Sequence, residues 1–213
     1  MSLTSHRTAF LESVRISRQL AASDAVRAAW DTESSCAGMT VGGLAHHLLG
    51  QAVNTAAGLS AAPDANPIAL LDHYRQAPWV AASRSGSADP EQLDKDNTAA
   101  AAGPDAVLEE ATERTRDLEQ LLAAPRDPDT VFIPWQGWSL STDDWLTTRM
   151  MEMVVHADDL ASSVGLRTPQ FPEAAVVPVV GLLASVAADR HGATAVVRAL
   201  SRPQRAPAVV SAF

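Results

Sequence analysis

Apolar residues recur three and four positions apart along most of the chain, a spacing that gathers them on one face of an α-helix. Short segments that are polar or contain glycine or proline separate the patterned stretches. Capping residues before several stretches and glycine after them are typical of helix boundaries. The pattern predicts helices over residues 5–30, 41–58, 68–84 (interrupted near Pro78), 104–124, 142–165, 172–191 and 193–202.

Two segments depart from the helical pattern. Residues 131–135 are rich in β-branched and aromatic side chains and precede a Gln136-Gly137 step, so a short hairpin or a tight extended turn is expected there. Residues 83–103 combine small, polar and charged residues with a run of alanines, and we expect a mobile connection. Long helices with hardly any strand favour an all-α fold, an antiparallel bundle of four main helices with extra short helices at the carboxyl end.

Composition narrows the class of protein. The 213 residues suffice for one hydrophobic core and no linker divides them, so a single domain over residues 1–213 is expected. A net charge of -9 argues against a nucleic-acid partner. The amino end has no apolar leader, and the apolar run over residues 174–188 contains Pro178 and is shorter than the roughly 18 residues of a membrane span. We therefore expect a cytoplasmic protein without a membrane partner, in which this run is a buried helix.

A single cysteine, Cys36, excludes an internal disulfide and suits a reducing compartment. It lies in a loop rich in serine and glycine, outside any spacing that would pair it with a histidine along the sequence. We interpret Cys36 as a structural residue.

The helix predicted over residues 142–165 carries polar chemistry on one side. Arg149, Glu152, His156 and Asp159 follow one another at offsets of three, four and three, which places all four on one face. The opposite face is apolar. A carboxylate and an imidazole one turn apart can bind the same metal ion, but the same pair also occurs on ordinary solvated helix faces. A second histidine from another helix is needed to favour the metal.

The helix predicted over residues 41–58 offers two histidines. His47 shares a polar face with Gln51, whereas His46 is expected to point away from that face. His47 is either a metal ligand or a core histidine whose ring is satisfied by a neighbour such as Gln51. Facing helices of a bundle can bring His47 close to Glu152 and His156, whatever their separation in sequence.

Two segments resemble the signature stretches of the mycothiol-dependent maleylpyruvate isomerase family, which belongs to the DinB-like superfamily. They are TVGGLAHHLLG, where His47 is the second histidine, and RMMEMVVHADDLASSVG. The closing stretch from HGATAVVRALSR to SAF also looks like the carboxyl end of that family. The resemblance implies an up-down-down-up four-helix bundle and a divalent metal, most often zinc, bound by His47, Glu152 and His156. Characterised maleylpyruvate isomerases of this type carry a further carboxyl-terminal domain, for which this sequence is expected to be too short.

Two histidines and a glutamate leave one coordination position of zinc open, as in catalytic sites. A small thiol bound there would be deprotonated near neutral pH, so the protein needs no catalytic cysteine of its own. This favours a transferase or isomerase that uses mycothiol or a related thiol and acts on a small electrophile. Arg149 is expected either to pair with Glu152 or to hold a substrate carboxylate, and Asp159 either to orient a ligand or to join a surface ion pair.

Two other functions remain open at this point. One is a hydrolase in which the metal activates water and a nearby carboxylate moves the proton. The other is a non-catalytic stress-response or binding bundle whose polar residues are merely packed. The sequence has no nucleophile elbow, no phosphate-binding glycine loop and no CxxC pair that would indicate a competing chemistry. A small-molecule substrate and a thiol are the expected partners of a monomer or homodimer.

Overall fold

The computed structural model describes residues 3–63, 66–84 and 89–213. Most of the described residues are helical, and the regular strands among them form one small sheet. The helices are α1 (Ser5–Ala21), α2 (Asp24–Ala28), α3 (Val41–Ser60), α4 (Leu70–Gln76), α5 (Pro78–Arg84), α6 (Pro90–Ala100), α7 (Pro104–Arg114), α8 (Leu118–Ala123), α9 (Thr142–Ser163), α10 (Glu173–His191) and α11 (Ala193–Ser201). The strands are β1 (Thr130–Ile133) and β2 (Trp138–Ser141), and a short 3-10 helix spans Pro203–Arg205.

Three of the predicted helices are divided in the structure. The first ends at Ala21, because Ser23 caps the separate helix α2 by accepting a hydrogen bond from the backbone N–H of Val26. The interruption predicted near Pro78 in the helix over residues 68–84 is confirmed, since α4 ends at Gln76 and Pro78 begins α5. The helix predicted over residues 104–124 is broken near Thr115, whose hydroxyl donates to the Ala111 carbonyl and competes with the backbone ladder.

The mobile connection predicted over residues 83–103 is wrong, because residues 90–100 form α6. The Asp89 carboxylate accepts hydrogen bonds from the first backbone N–H groups of α6, and proline follows at its first position. Trp30 Nε1 donates to the Ala100 carbonyl at 2.9 Å, and Asn97 Oδ1 accepts from the Thr40 backbone N–H at 2.9 Å. These two bonds hold α6 against the start of α3. Residues 85–88 of the predicted connection lie outside the described residues.

Two adjacent glycines allow α3 to approach its neighbours closely. A Cβ atom on Gly42 would lie 2.5 Å from the Trp30 indole, and one on Gly43 would collide with the Asn97 side chain. Such distances are far inside van der Waals contact, so any larger residue would push the neighbour away. The position of α6 therefore depends on both glycines.

The hydrophobic core lies between α9 and the helices that surround it. Helix α9 packs against α1, α3 and α10, while α6, α7 and α8 also pack against α3. The wholly buried Phe10 of α1, Leu44 of α3 and Met150 of α9 meet in this core. Burying each such side chain stabilises the fold by roughly 1.5–3 kcal/mol. Ser141 caps α9, since its side chain accepts a hydrogen bond from the Asp144 backbone N–H.

The two strands form a hairpin. Strands β1 and β2 are antiparallel, with Thr130 opposite Ser141, which confirms the expected hairpin.

The expectation of a buried helix over residues 174–188 is only half right. One face of α10 packs on α1 and α9, but Val177 and Val180 on the other face are 61% and 54% exposed. In length and composition α10 also meets the requirements of a membrane span, as core helices of soluble proteins often do.

Candidate metal centre

His47 of α3 meets Glu152 and His156 of α9 where the two helices face each other. The Nε2 atom of His156 lies 3.2 Å from Glu152 Oε2, and the Nε2 atom of His47 lies 3.7 Å from the same oxygen. The two imidazole rings are nearly perpendicular, with centroids 4.8 Å apart. One ligand atom from each residue lies within 4.8 Å of the other two, close enough for all three to bind one ion. The structure thus brings together the three residues that the sequence singled out.

Each histidine is held at its other ring nitrogen by an aspartate. Asp96 Oδ2 lies 2.9 Å from His47 Nδ1, and Asp159 Oδ2 lies 3.0 Å from His156 Nδ1. An ionised carboxylate only accepts hydrogen bonds, so Nδ1 carries the proton in both rings. The nitrogen left to bind a cation is therefore Nε2, which in both rings faces Glu152. An outer carboxylate of this kind fixes the tautomer and orientation of many metal-binding histidines.

Asp96 is the residue of this centre that sequence reasoning missed. Its side chain is only 2% exposed, and Gln92 Nε2 donates to its Oδ2 at 2.7 Å. Its other oxygen, Oδ1, lies 2.7 Å from His46 Nδ1. The expectation that His46 points away from the polar face is therefore wrong, because both histidines bind one carboxylate. The available signal was the Asp-Pro step at residue 89, which is typical of a helix start and would have placed Asp96 on a helix.

Gln51 and Arg149 form a second layer beside the histidines. Gln51 donates from Nε2 to the His47 backbone carbonyl, not to its ring, and its Oε1 accepts from Arg149 Nη1 at 2.8 Å. The guanidinium of Arg149 also stacks on the Trp145 ring, 4.5 Å from its centroid. Among the described residues Arg149 has no carboxylate within ion-pair distance, so the expected pair with Glu152 is not formed.

Burial and hydrogen bonding oppose each other in setting the charges. Burial raises the pKa of Glu152, but hydrogen bonds with His156 and His47 outweigh it and hold that pKa well below its usual value. Burial lowers the pKa of His156, yet hydrogen bonds with Asp159, Cys36 and Glu152 raise it well above its usual value. The pKa of His47 is raised in the same way, by Asp96 and Glu152 against burial. A cation that binds here must therefore displace protons from the histidines.

Cys36 lies nearer to this centre than the sequence indicates. Its loop is docked on α9 by Ser35, whose backbone N–H donates to Ser163 Oγ and whose hydroxyl donates to the Asp159 carbonyl. Cys36, His156 and Asp159 form a second group of possible ligand atoms within 4.8 Å of one another. Because Asp159 binds Nδ1 of His156, this group lies on the side of the ring turned away from Glu152. The structural role of Cys36 remains a prediction.

A cavity of about 880 Å³ opens onto the centre. Its wall includes His47, Glu152 and His156 together with Arg149 and His73. Sites for small molecules usually have volumes of about 300–1,000 Å³. The three residues are thus within reach of a small molecule.

The family model of the mycothiol maleylpyruvate isomerase N-terminal domain matches residues 11–161, which is more than half of the chain. The chain belongs to this family. The resemblance inferred from the two motifs is thereby confirmed. No curated protein and no solved structure shows a significant match.

The range matched by the family model begins within α1 and ends near the end of α9. It contains α3, α6 and α9, the helices that supply the three clustered residues and both of the aspartates behind them. Helices α10 and α11 lie beyond it, and α10 contributes packing against α9. All groups of the candidate centre therefore belong to the part that defines the family.

Proposed function

We propose that the chain binds one divalent metal ion, preferably zinc, through His47, Glu152 and His156. We further propose that a small thiol, mycothiol, occupies the open position and reacts with a small electrophile in a transfer or an isomerisation. The observation that carries the proposal is the matched orientation of the two histidines. Each is held at Nδ1 by an aspartate and turns Nε2 toward the same Glu152 oxygen.

The donor set fits zinc. Two imidazole nitrogens and one carboxylate oxygen are three of its usual ligands, and a tetrahedral ion then keeps a fourth position for an exchangeable group. The cavity of about 880 Å³ provides the space for that group. When bound, the ion would lower the pKa of an incoming thiol enough to make it a thiolate near neutral pH.

The chain's own residues prepare the site for this chemistry. Asp96 and Asp159 keep the protons at Nδ1 of His47 and His156, so that Nε2 of each ring is directed at the centre. Arg149, fixed by Gln51, adds a positive charge to the cavity wall. We prefer an added thiol to water as the group on the metal because the family model that matches the chain is named for a mycothiol maleylpyruvate isomerase.

The proposal extends to the arrangement of the chain. We propose that α1, α3, α9 and α10 form the DinB-like up-down-down-up four-helix bundle, within one cytoplasmic domain over residues 1–213. The packing of α9 on the other three helices supports this arrangement. A single cluster of buried apolar residues that reaches from α1 to α11 supports one domain.

Cobalt substitution tests the metal and the thiol together. Protein purified without a histidine tag and loaded with cobalt should develop a sulfur-to-cobalt charge-transfer band in the near ultraviolet when mycothiol is added. Simple thiols should give a weaker response, and the His47→Ala variant should give none. If no thiol changes the spectrum and the protein instead hydrolyses esters or amides at a metal-dependent rate, the hydrolase alternative replaces the thiol function.

A further inference from the structure

Arg149 is a cation that three neighbouring side chains hold in position. Its Nη1 donates to Gln51 Oε1 at 2.8 Å, and its Nε donates to Thr148 Oγ1 at 3.0 Å. The guanidinium lies over the Trp145 ring, which holds its plane in place. Within the described ranges no carboxylate lies at ion-pair distance from it, although Arg149 lines the cavity. Three side chains thus hold a positive charge at the wall of the cavity, where a ligand can reach it.

His73 of α4 is a neutral hydrogen-bond donor on the same wall. Trp138 Nε1 donates to His73 Nδ1 at 3.1 Å, and since an indole can only donate, the proton of His73 must lie on Nε2. Burial, helped by the charge of Arg149, lowers the pKa of His73 to about 4, so the ring is neutral near pH 7. His73 is 4% exposed and lines the cavity. In the described part of the chain, Nε2 has no hydrogen-bond partner.

We propose that Arg149 and His73 form a subsite that binds a carboxylate of the substrate. The guanidinium supplies charge and directed N–H groups, which suit the planar carboxylate, and His73 adds one neutral hydrogen bond. This inference rests on the proposed function, which assigns the reacting end of the substrate to the metal centre. Arg149 lies one helical turn from Glu152 on α9, so the subsite and the metal centre are neighbours. A carboxylate held by Arg149 would therefore place the rest of the molecule beside the metal centre.

The remaining wall indicates what the rest of the substrate is like. The indoles of Trp79 and Trp135 line the same cavity, and Trp135 is 66% exposed, which is unusual for so large an apolar side chain. Trp135 also lies edge-on to Trp145, 6.5 Å between ring centroids. Since Trp145 carries the guanidinium of Arg149, the aromatic wall continues directly from the carboxylate subsite. We therefore assign to the site an acid with an apolar or planar body.

Two other cations of the cavity are less suited to this role. Arg114 is paired with Glu110 at 3.0 Å, so its charge is already balanced. Lys95 is exposed at the rim, where water solvates an ammonium group and salt screens it. Lys95 is nevertheless the matched control for Arg149, because it contributes the same charge to the same cavity without being oriented.

Calorimetric titration with benzoate and with benzamide, its neutral analogue, tests the subsite in both chelated and zinc-loaded protein. Benzoate should bind more tightly than benzamide, and Arg149→Gln should weaken benzoate binding roughly tenfold or more and remove the difference. His73→Phe should weaken benzoate several-fold, whereas His73→Gln, which retains an N–H donor, should bind more tightly than His73→Phe. Lys95→Gln should leave the affinity almost unchanged.

Three results would overturn the subsite. They are equal binding of the two probes, an equal loss in Lys95→Gln and Arg149→Gln, and full benzoate affinity in both Arg149→Gln and His73→Phe. Thermal melts of each variant identify losses of binding that are caused by unfolding. If Arg149→Gln is unfolded, Arg149→Lys replaces it, because lysine keeps the charge but loses the planar guanidinium. Metal content is measured on the same samples. If the protein takes up no metal but binds benzoate through Arg149, the subsite stands and the proposed function fails. If it takes up metal but does not bind benzoate through Arg149, the subsite fails and the proposed function stands.

Discussion

The two histidines of the candidate centre are supported in contrasting ways. His156 is held by Asp159, three residues later on the same helix, and the Asp159 side chain is 31% exposed. His47 is held by Asp96, 49 residues away on another helix, and the Asp96 side chain is 2% exposed. Both members of the first pair lie on α9, so the spacing of that helix brings them together. The second depends on the docking of α6 against α3.

The two aspartates should therefore differ in how much they contribute to the stability of the fold. The Asp159 carboxylate is 31% exposed, so solvent screens part of its pairing with His156, and this pair contributes less to the free energy of unfolding than a fully buried pair does. Asp96 is buried and binds two imidazoles at once, so its removal would leave both without their acceptor. We expect the α3 side to govern stability as well as metal affinity, and the α9 side to govern metal affinity alone.

The largest effect is expected from removing either histidine of the centre. His47→Ala and His156→Ala should each reduce metal content from stoichiometric to near zero, because two remaining ligands hold the ion poorly. Elemental analysis of purified protein measures this. His46→Ala is the control and should retain the metal, since His46 contacts Asp96 but not Glu152. Full metal in both single variants would refute the site, and loss in His46→Ala alone would transfer the ligand role to His46.

Replacing each aspartate by asparagine tests the contrast itself. Loss of such an outer carboxylate typically lowers metal affinity about 10–100-fold, and we expect this range for both Asp96→Asn and Asp159→Asn. Asp96→Asn should also lower the free energy of unfolding of the metal-free protein by about 3 kcal/mol, since a buried ionic group loses its partner. Asp159→Asn should lower it by less than about 1 kcal/mol. Urea denaturation provides both values.

Asp94→Asn is the matched control for these variants, because Asp94 is an exposed acid of the same helix as Asp96. It should change neither stability nor affinity. Equal destabilisation by Asp96→Asn and Asp159→Asn would show that the two sides do not differ.

The raised pKa values of His47 and His156 predict opposite pH trends with and without metal. In the metal-free protein, a folded-state pKa above the unfolded value of 6.5 stabilises the fold below pH 6.5, and this contribution is lost as pH rises through the raised pKa. In the metal-loaded protein, protons compete for the same nitrogens, so stabilisation by metal grows over that interval. Melting temperatures of the two forms should therefore diverge by several degrees as the pH rises above about 6.5 through the raised pKa values. Parallel curves would contradict the assignment.

The smallest effect is expected in the helix content after chelation. The apolar core between α9 and its neighbours does not depend on the ion, and three ligands with an open position do not clamp the fold together. The far-ultraviolet circular dichroism of chelated protein should therefore stay close to that of loaded protein. Loss of the helical signal would mean that the metal is structural. The stabilities of the metal-free aspartate variants could then not be compared.

The local side of the centre could be predicted from sequence, and the distant side could not. Spacing alone placed Glu152, His156 and Asp159 on one face, because an α-helix fixes those positions. Asp96 was missed because the charged, alanine-rich composition of α6 resembles that of a loop, and its burial arises only from docking on α3. Similarly, the break after Ala21 arises from a single cap at Ser23, which the continuous helical spacing concealed.

The paired glycines of α3 extend the binding motif to positions that carry no ligand. A methyl group at Gly42 would displace Trp30, and one at Gly43 would displace Asn97, although every ligand would remain in the sequence. Both neighbours anchor α6, so Asp96 would withdraw from His47 and the imidazole would be free to turn. The presence of the metal centre in a relative should therefore be judged by this backbone contact as well as by the three ligands. A variant with larger residues at the two glycine positions would keep every ligand and yet bind the metal more weakly.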